Sequence, residues 1–182
     1  MKKSVLAALL AAGALATPAF AALTVADTAP DFTLSGFQAG KPITFSLNQA
    51  LKSGPVVLYF FPAVHTGGCN LEAHLFAEAA DDFKKEGATV VGVTAGNLDQ
   101  LQVFSNETQY CSGKFPVTAD ADLKVAKIYK TANIPLLHMS DRTSYVITPD
   151  HKIALAYTAN NPTKHVEMTM AGVKKWKAEH HS

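Results

Sequence analysis

Residues 54–62 read Gly-Pro-Val-Val-Leu-Tyr-Phe-Phe-Pro, a near-continuous apolar run bounded at both ends by Gly and Pro. A run this short, with no polar alternation to face water, fits a central strand buried on both faces. The segment behind it supplies a helix. Over 69–86, Leu71, Leu75, Ala79 and Phe83 recur at intervals of four, the spacing of one helical face. Gly87 is the expected stop, and Ala88-Thr89-Val90-Val91-Gly92-Val93-Thr94 reads as a second buried strand.

The same pattern continues along the chain. A helix is expected from Leu98 to about Tyr110, a short strand over Phe115–Thr118 and a helix over Asp122–Tyr129. Ser144–Ile147 and Lys152–Tyr157 flank Pro149-Asp150-His151, which is turn chemistry, so these two runs form an antiparallel hairpin. A last helix is expected from about Thr163 to Lys177. Strand, helix, strand, helix, then hairpin and helix is an α/β layer order. Parallel central strands with an antiparallel edge pair fit a thioredoxin-like fold, a central mixed sheet flanked by helices.

The first 21 residues stand apart from this pattern. Lys2 and Lys3 precede an apolar stretch from Val5 to Ala16, too short to span a bilayer comfortably, and Ala19-Phe20-Ala21 is a small-x-small cleavage pattern. Residues 1–21 are therefore read as a signal peptide and 22–182 as one domain, exported, with the periplasm as the expected destination. The alternative is a short N-terminal anchor left uncleaved. No cysteine follows the cut, which argues against a lipoprotein anchor. Removing the leader changes 16 basic residues against 15 acidic ones to 14 against 15. So near-neutral a chain offers no basic field for nucleic acid. No later apolar run approaches membrane length, so no membrane association is expected after cleavage.

Chemistry concentrates where the first buried strand meets the first long helix, at Pro62-Ala63-Val64-His65-Thr66-Gly67-Gly68-Cys69. Cys69 falls in the first turn of the helix, where unpaired N–H groups and the positive helix end favour a thiolate. Gly67 and Gly68 allow close backbone approach to a ligand, and their N–H groups could face a small anion or an oxygen acceptor. Thr66 places a hydroxyl three residues before the sulfur, and Pro62 can shield one side of it from water.

The pattern Pro62-x-x-x-Thr66-x-x-Cys69 at a strand–helix junction resembles the active-site motif of the peroxiredoxins, the alkyl hydroperoxide reductase/thiol-specific antioxidant family. Ala29-Pro30-Asp31-Phe32-Thr33-Leu34 resembles the family's opening, and Glu72 matches an acid often found three residues after the active cysteine. Phe115–Asp120 and Arg142-Thr143-Ser144-Tyr145-Val146-Ile147 resemble two further family segments. The resemblance, closest to the bacterioferritin-comigratory type, implies thiol-dependent reduction of hydrogen peroxide or alkyl hydroperoxides. Cys69 would be the peroxidatic nucleophile, becoming a sulfenic acid. Thr66 would hold the peroxide, and Arg142 would come beside Cys69 and stabilise developing charge. No metal or organic cofactor is implied. The expected partners are the peroxide and an external thiol reductant such as a thioredoxin-like protein, with the protein a monomer or homodimer.

Cys111 is open to three readings: a resolving cysteine that attacks the Cys69 sulfenic acid, a static disulfide partner, or a free thiol. The bacterioferritin-comigratory arrangement with a second thiol five residues after the first is absent, because His74 stands there. Other members carry the resolving thiol in the third helix, roughly where Cys111 falls. His65, His74 and His138 lack metal-ligand spacing with the cysteines and are read as solvated or packed. Met139, Met168 and Met170 make no credible copper site, and His180 and His181 are expected in a disordered tail. Two other classes compete: an exported thioredoxin-like thiol-disulfide oxidoreductase and a non-catalytic redox-binding module. The first needs Cys-x-x-Cys, and the earlier position of that motif is Thr66. The second requires a decayed site, against which Pro62, Thr66, Cys69 and Arg142 all argue.

Overall fold

The computed structural model describes residues 22–96, 98–132 and 137–180. The expected signal peptide, residues 1–21, and His181 lie outside these residues. Seven strands form one mixed sheet in the order β2-β1-β5-β4-β3-β6-β7. They are β1 (Thr33–Gln38), β2 (Lys41–Ser46), β3 (Val56–Phe60), β4 (Thr89–Thr94), β5 (Val117–Ala119), β6 (Thr143–Ile147) and β7 (Ile153–Thr158). The helices are α1 (Leu47–Leu51), α2 (Gly67–Lys85), α3 (Leu98–Asn106), α4 (Lys124–Ile128) and α5 (Pro162–His180).

The apolar run becomes β3, and every one of its residues is buried. It pairs parallel to β4 on one side and antiparallel to β6 on the other. Its side chains alternate between two cores, as a strand requires. Val56, Leu58 and Phe60 join Val125, Ala126 and Tyr129 of the α4 region on one face. Val57 and Tyr59, with Phe61 just beyond the strand, join side chains of α2, α3 and α5 on the other. The two crossovers β3–α2–β4 and β4–α3–β5 link parallel strands. The β6–β7 pair is the expected antiparallel hairpin.

Several expectations are corrected. Helix α2 starts two residues earlier than read, and Leu71 is 45% exposed. The buried stripe is instead Cys69, Glu72, Ala73, Phe76, Ala77 and Phe83. It contains a carboxylate, so hydrophobic spacing alone points to the neighbouring face. Gly87 does end the helix region, at φ 81, a left-handed conformation that suits glycine. Helix α3 stops at Asn106 rather than near Tyr110, so Cys111 lies beyond the helix, in a turn where the Tyr110 and Ser112 N–H groups both donate to the Glu107 carbonyl. His180 does not lie in a disordered tail: it occupies the last turn of α5, with its ring stacked on Trp176.

The N-terminal hairpin β1–β2 is absent from the sequence reading. Its two-residue turn is Ala39-Gly40, both at positive φ (52 and 72). Asn-Gly or Asp-Gly is the usual signature for such a turn, and alanine hides it.

Candidate active site

β3 delivers the chain to Phe61, whose N–H donates to the Val93 carbonyl on β4. The loop that follows is pinned by two hydroxyls: Ser140 Oγ donates to the Phe61 carbonyl and Thr94 Oγ1 to the Pro62 carbonyl. His65 takes a left-handed φ of 56 just before the helix, a conformation uncommon for a residue with a side chain. Thr66 is the extended N-cap residue of α2, but its hydroxyl does not cap the helix; Oγ1 donates to the Ala63 carbonyl at 3.1 Å. Thr66 is exposed.

Cys69 is the third helical residue of α2, within the first turn, whose N–H groups have no acceptor inside the helix. Its side chain is almost fully buried at 2% exposure. Arg142 Nη2 lies 3.4 Å from Cys69 Sγ and donates to it. The sheet brings the two together. Thr143 pairs with Phe60, so Arg142 emerges where β3 ends and α2 begins. Gly68 makes room for it: a Cβ at that position would lie 3.0 Å from Arg142 Nη2, whereas one at Gly67 would meet no atom within 4 Å.

Glu72, one turn along α2 from Cys69, accepts a hydrogen bond from Arg142 Nη1. Both partners are buried. Burial pushes the Glu72 carboxyl up to about 8, with the charge and hydrogen bond of Arg142 pulling the other way. Its second oxygen, Oε1, has no hydrogen-bond partner among the described residues and faces His165 Nδ1 at 3.6 Å. His165, on α5, is fully buried and also sits 2.8 Å from Ser144 Oγ and 2.9 Å from the Ala159 carbonyl. Burial holds its imidazole down at about 4. Sequence reading singled out neither His165 nor Ser144. A lone histidine on a helix carries no spacing signal, and Ser144 appeared only within a strand segment.

Cys69 and Cys111 are both free thiols inside the same apolar cluster. Burial pushes the Cys111 thiol well above its ordinary range, and Glu107 adds to the effect. Glu107 also pairs with His65 at 3.1 Å, and the His65 ring packs edge-on against Phe104 and Tyr110. The loop that carries Thr66 is thereby tied to the turn that carries Cys111. His74 pairs with Glu78, and His138 Nε2 lies 2.6 Å from the Ala121 carbonyl, so both histidines are engaged locally. Among the described residues, no three His, Cys, Asp or Glu side chains cluster to hold a metal, and no helix is long and apolar enough to cross a membrane.

The site therefore presents a sulfur at a helix N-terminus, a guanidinium touching it, and an exposed threonine at the helix N-cap. Comparisons with known proteins agree on one family. The chain matches the AhpC/TSA family over residues 25–156. It is 32% identical over 152 residues to the chloroplastic peroxiredoxin Q of Sedum lineare, covering 83% of this chain and 78% of that one. It is 31% identical over 158 residues to the corresponding protein of Arabidopsis thaliana, covering 85% and 69%. Among solved structures, the peroxidoxin BcpB of Mycobacterium tuberculosis superposes with a TM-score of 0.72 at 29% identity, covering 84% of this chain and 97% of that one. The reduced 2-Cys peroxiredoxin of Plasmodium vivax reaches a TM-score of 0.77 at 16% identity, over 88% and 100%, a likeness of fold alone.

Proposed function

This chain belongs to the AhpC/TSA family of peroxiredoxins, in the branch of the peroxiredoxin Q and bcp proteins, and we propose that Cys69 is the sulfur through which it acts as a thiol-dependent peroxidase. The observation that carries this assignment is the 3.4 Å contact between Arg142 Nη2 and Cys69 Sγ at the start of α2. A permanent cation and free helix N–H groups stabilise a thiolate and then the charge that develops on the departing peroxide oxygen. The Cys69 thiolate attacks one peroxide oxygen, an S–O bond forms as the O–O bond breaks, and the other oxygen leaves as alkoxide or hydroxide and takes a proton. Cys69 ends as a sulfenic acid. Thr66 Oγ1, at the exposed N-cap of α2, positions the peroxide, and Pro62 covers one side of the sulfur.

Cys111 is the resolving thiol in this reading. Its sulfur attacks the sulfenic sulfur, a disulfide forms, and the hydroxyl leaves as water. Cys111 is fully buried, in the same apolar cluster as Cys69, and in this reading the turn around it opens for the bond to form. An external dithiol of thioredoxin type then restores both thiols. The N-terminal lysines, short apolar stretch and Ala-Phe-Ala site support export to an oxidising compartment, where such a dithiol has to be supplied. Only one thiol lies at the helix junction, and this favours peroxidase chemistry over thiol-disulfide exchange.

The test is stopped-flow oxidation of the reduced protein by hydrogen peroxide, with thiols counted before and after. Wild type loses two thiols and gives a Cys69–Cys111 crosslinked peptide by mass spectrometry. Cys111→Ser completes one turnover and stops, and Cys69→Ser consumes no peroxide. Continued turnover by Cys69→Ser would overturn the mechanism, and an oxidised wild type without the crosslink would overturn the resolving role.

A further inference from the structure

The buried carboxylate behind Arg142 poses a problem of charge. If Glu72 were an ordinary carboxylate, it would neutralise Arg142, and the guanidinium would have little net charge left for the sulfur 3.4 Å away. The far side of Glu72 shows how this is avoided. His165 Nε2 faces the Ala159 carbonyl, an acceptor only, so Nε2 carries the ring hydrogen and Nδ1 presents a lone pair in the neutral ring. Ser144 Oγ lies 2.8 Å from the same nitrogen, and a hydroxyl can either donate or accept there. Glu72 Oε1 faces the same nitrogen at 3.6 Å and lacks another partner among the described residues. An ionised carboxylate oxygen beside an unprotonated ring nitrogen, in a site excluded from water, places two acceptors face to face. A single proton between them removes the conflict.

We propose that Glu72 and His165 together hold one proton, leaving the positive charge of Arg142 for the Cys69 sulfur and making His165 a positioning residue for the peroxidase reaction. The inference rests on the reading of Cys69 as the reacting sulfur. The other groups around the pair are consistent with it. Arg142, just before β6, is the one permanent cation paired with Glu72 among the described residues. Tyr59 of β3 contributes a neutral phenol that burial holds far from ionisation. Tyr157 of β7 packs edge-on against the His165 ring at 4.8 Å, and Thr169 of α5 spends its hydroxyl on the His165 carbonyl. Cys69 Sγ accepts from Arg142 Nη2 at 3.4 Å, the guanidinium nitrogen that does not bond Glu72. The upward displacement of Glu72 and the downward displacement of His165 place the proton on the carboxyl. When it is lost at alkaline pH, Glu72 becomes an anion that competes with the sulfur for Arg142.

Two measurements on the reduced protein decide the matter. The first is the pH dependence of Cys69 oxidation by hydrogen peroxide in stopped flow. In wild type the rate falls as pH rises through about 8. In His165→Phe, which removes the Nδ1 acceptor that stabilises the acid form, the fall moves to lower pH by about one unit, roughly a tenfold change in that proton's affinity. A uniformly slower enzyme with an unmoved profile would mean that His165 is merely structural and would overturn the proposal. The second needs no variant: NMR of protein labelled with carbon-13 in Glu and nitrogen-15 in His. At neutral pH it shows either a protonated Glu72 carboxyl or a doubly protonated His165 ring. An ionised Glu72 beside a neutral His165 would overturn the proposal even if His165→Phe failed to fold. If wild-type Cys69 showed no reaction with peroxide, the reading of the site would fail, whereas the NMR result would still report the proton.

Discussion

Arg142 Nη2 lies 3.4 Å from Cys69 Sγ across a separation of 73 residues, and the antiparallel pairing of β6 with β3 brings them together. Arg142→Ala removes a preorganised donor from the Cys69 sulfur and leaves Glu72 without its cation. The expected outcome is a loss of about 10²- to 10³-fold in the rate of Cys69 oxidation, read by stopped flow. Arg142→Lys recovers part of it at most, because one ammonium cannot reproduce two directed N–H bonds to sulfur and carboxylate.

Gly68 is the space that Arg142 occupies. A methyl group there would stand 3.0 Å from Nη2 and displace the guanidinium. Gly68→Ala is expected to slow Cys69 oxidation by about one to two orders of magnitude while the protein still melts cooperatively. Gly67→Ala, whose methyl would meet no atom within 4 Å, slows it less. Equal losses in the two variants would show that the backbone, not the position of Arg142, is at fault.

Stability should depend on pH through the same buried groups. Glu72 binds its proton more tightly when folded, rising from an ordinary 4.5 to about 8, so its contribution is lost as pH rises through that window. His165 binds its proton less tightly when folded, falling from 6.5 to about 4, so its effect on stability is lost as pH drops through that range. The two oppose each other between about 4.5 and 6.5 and leave Glu72 alone above it. Thermal unfolding is therefore expected to shift downward between pH 6.5 and 8, at up to about 1.4 kcal/mol per pH unit for one proton. Glu72→Gln is expected to abolish that slope, which differential scanning fluorimetry across the range would check.

Tyr59 presents a test of packing. Its ring stacks on Phe61 and Phe76 at 5.3 and 4.5 Å, yet its hydroxyl is buried with no hydrogen-bond partner among the described residues. Tyr59→Phe keeps the stacking and removes the orphaned group, so it is expected to stabilise the fold by about 1 kcal/mol in urea unfolding. Gly92→Ala is expected to destabilise it, because a new Cβ would press within 2.8 Å of that phenol.

His65 and Glu107 fasten the loop before Cys69 to the turn holding Cys111. If that turn must open for the disulfide to form, Glu107→Ala speeds the second kinetic phase, disulfide formation, severalfold and leaves the first phase, sulfenic acid formation, nearly as it is. A second phase no faster than wild type would show that the clasp does not limit opening.

The layers of this fold and the position of Cys69 in the first turn of α2 are readable along the chain. The apolar run at 54–62, the parallel strand after α2 and the hairpin near the end were legible because burial on both faces and period-two pairing leave local patterns. Cys69 at a helix start was legible because the helix boundary and the two glycines are contiguous in the chain. Three features were not. The Ala39-Gly40 hairpin lacks the usual turn residues, the face of α2 that packs inward includes Glu72, and α3 ends before Cys111. Only the tertiary structure could join Glu72 to His165 and Ser144. A buried carboxylate is tolerable only where a guanidinium and a second polar group converge on it from other elements. That convergence is a property of three-dimensional packing, and no spacing along one helix records it.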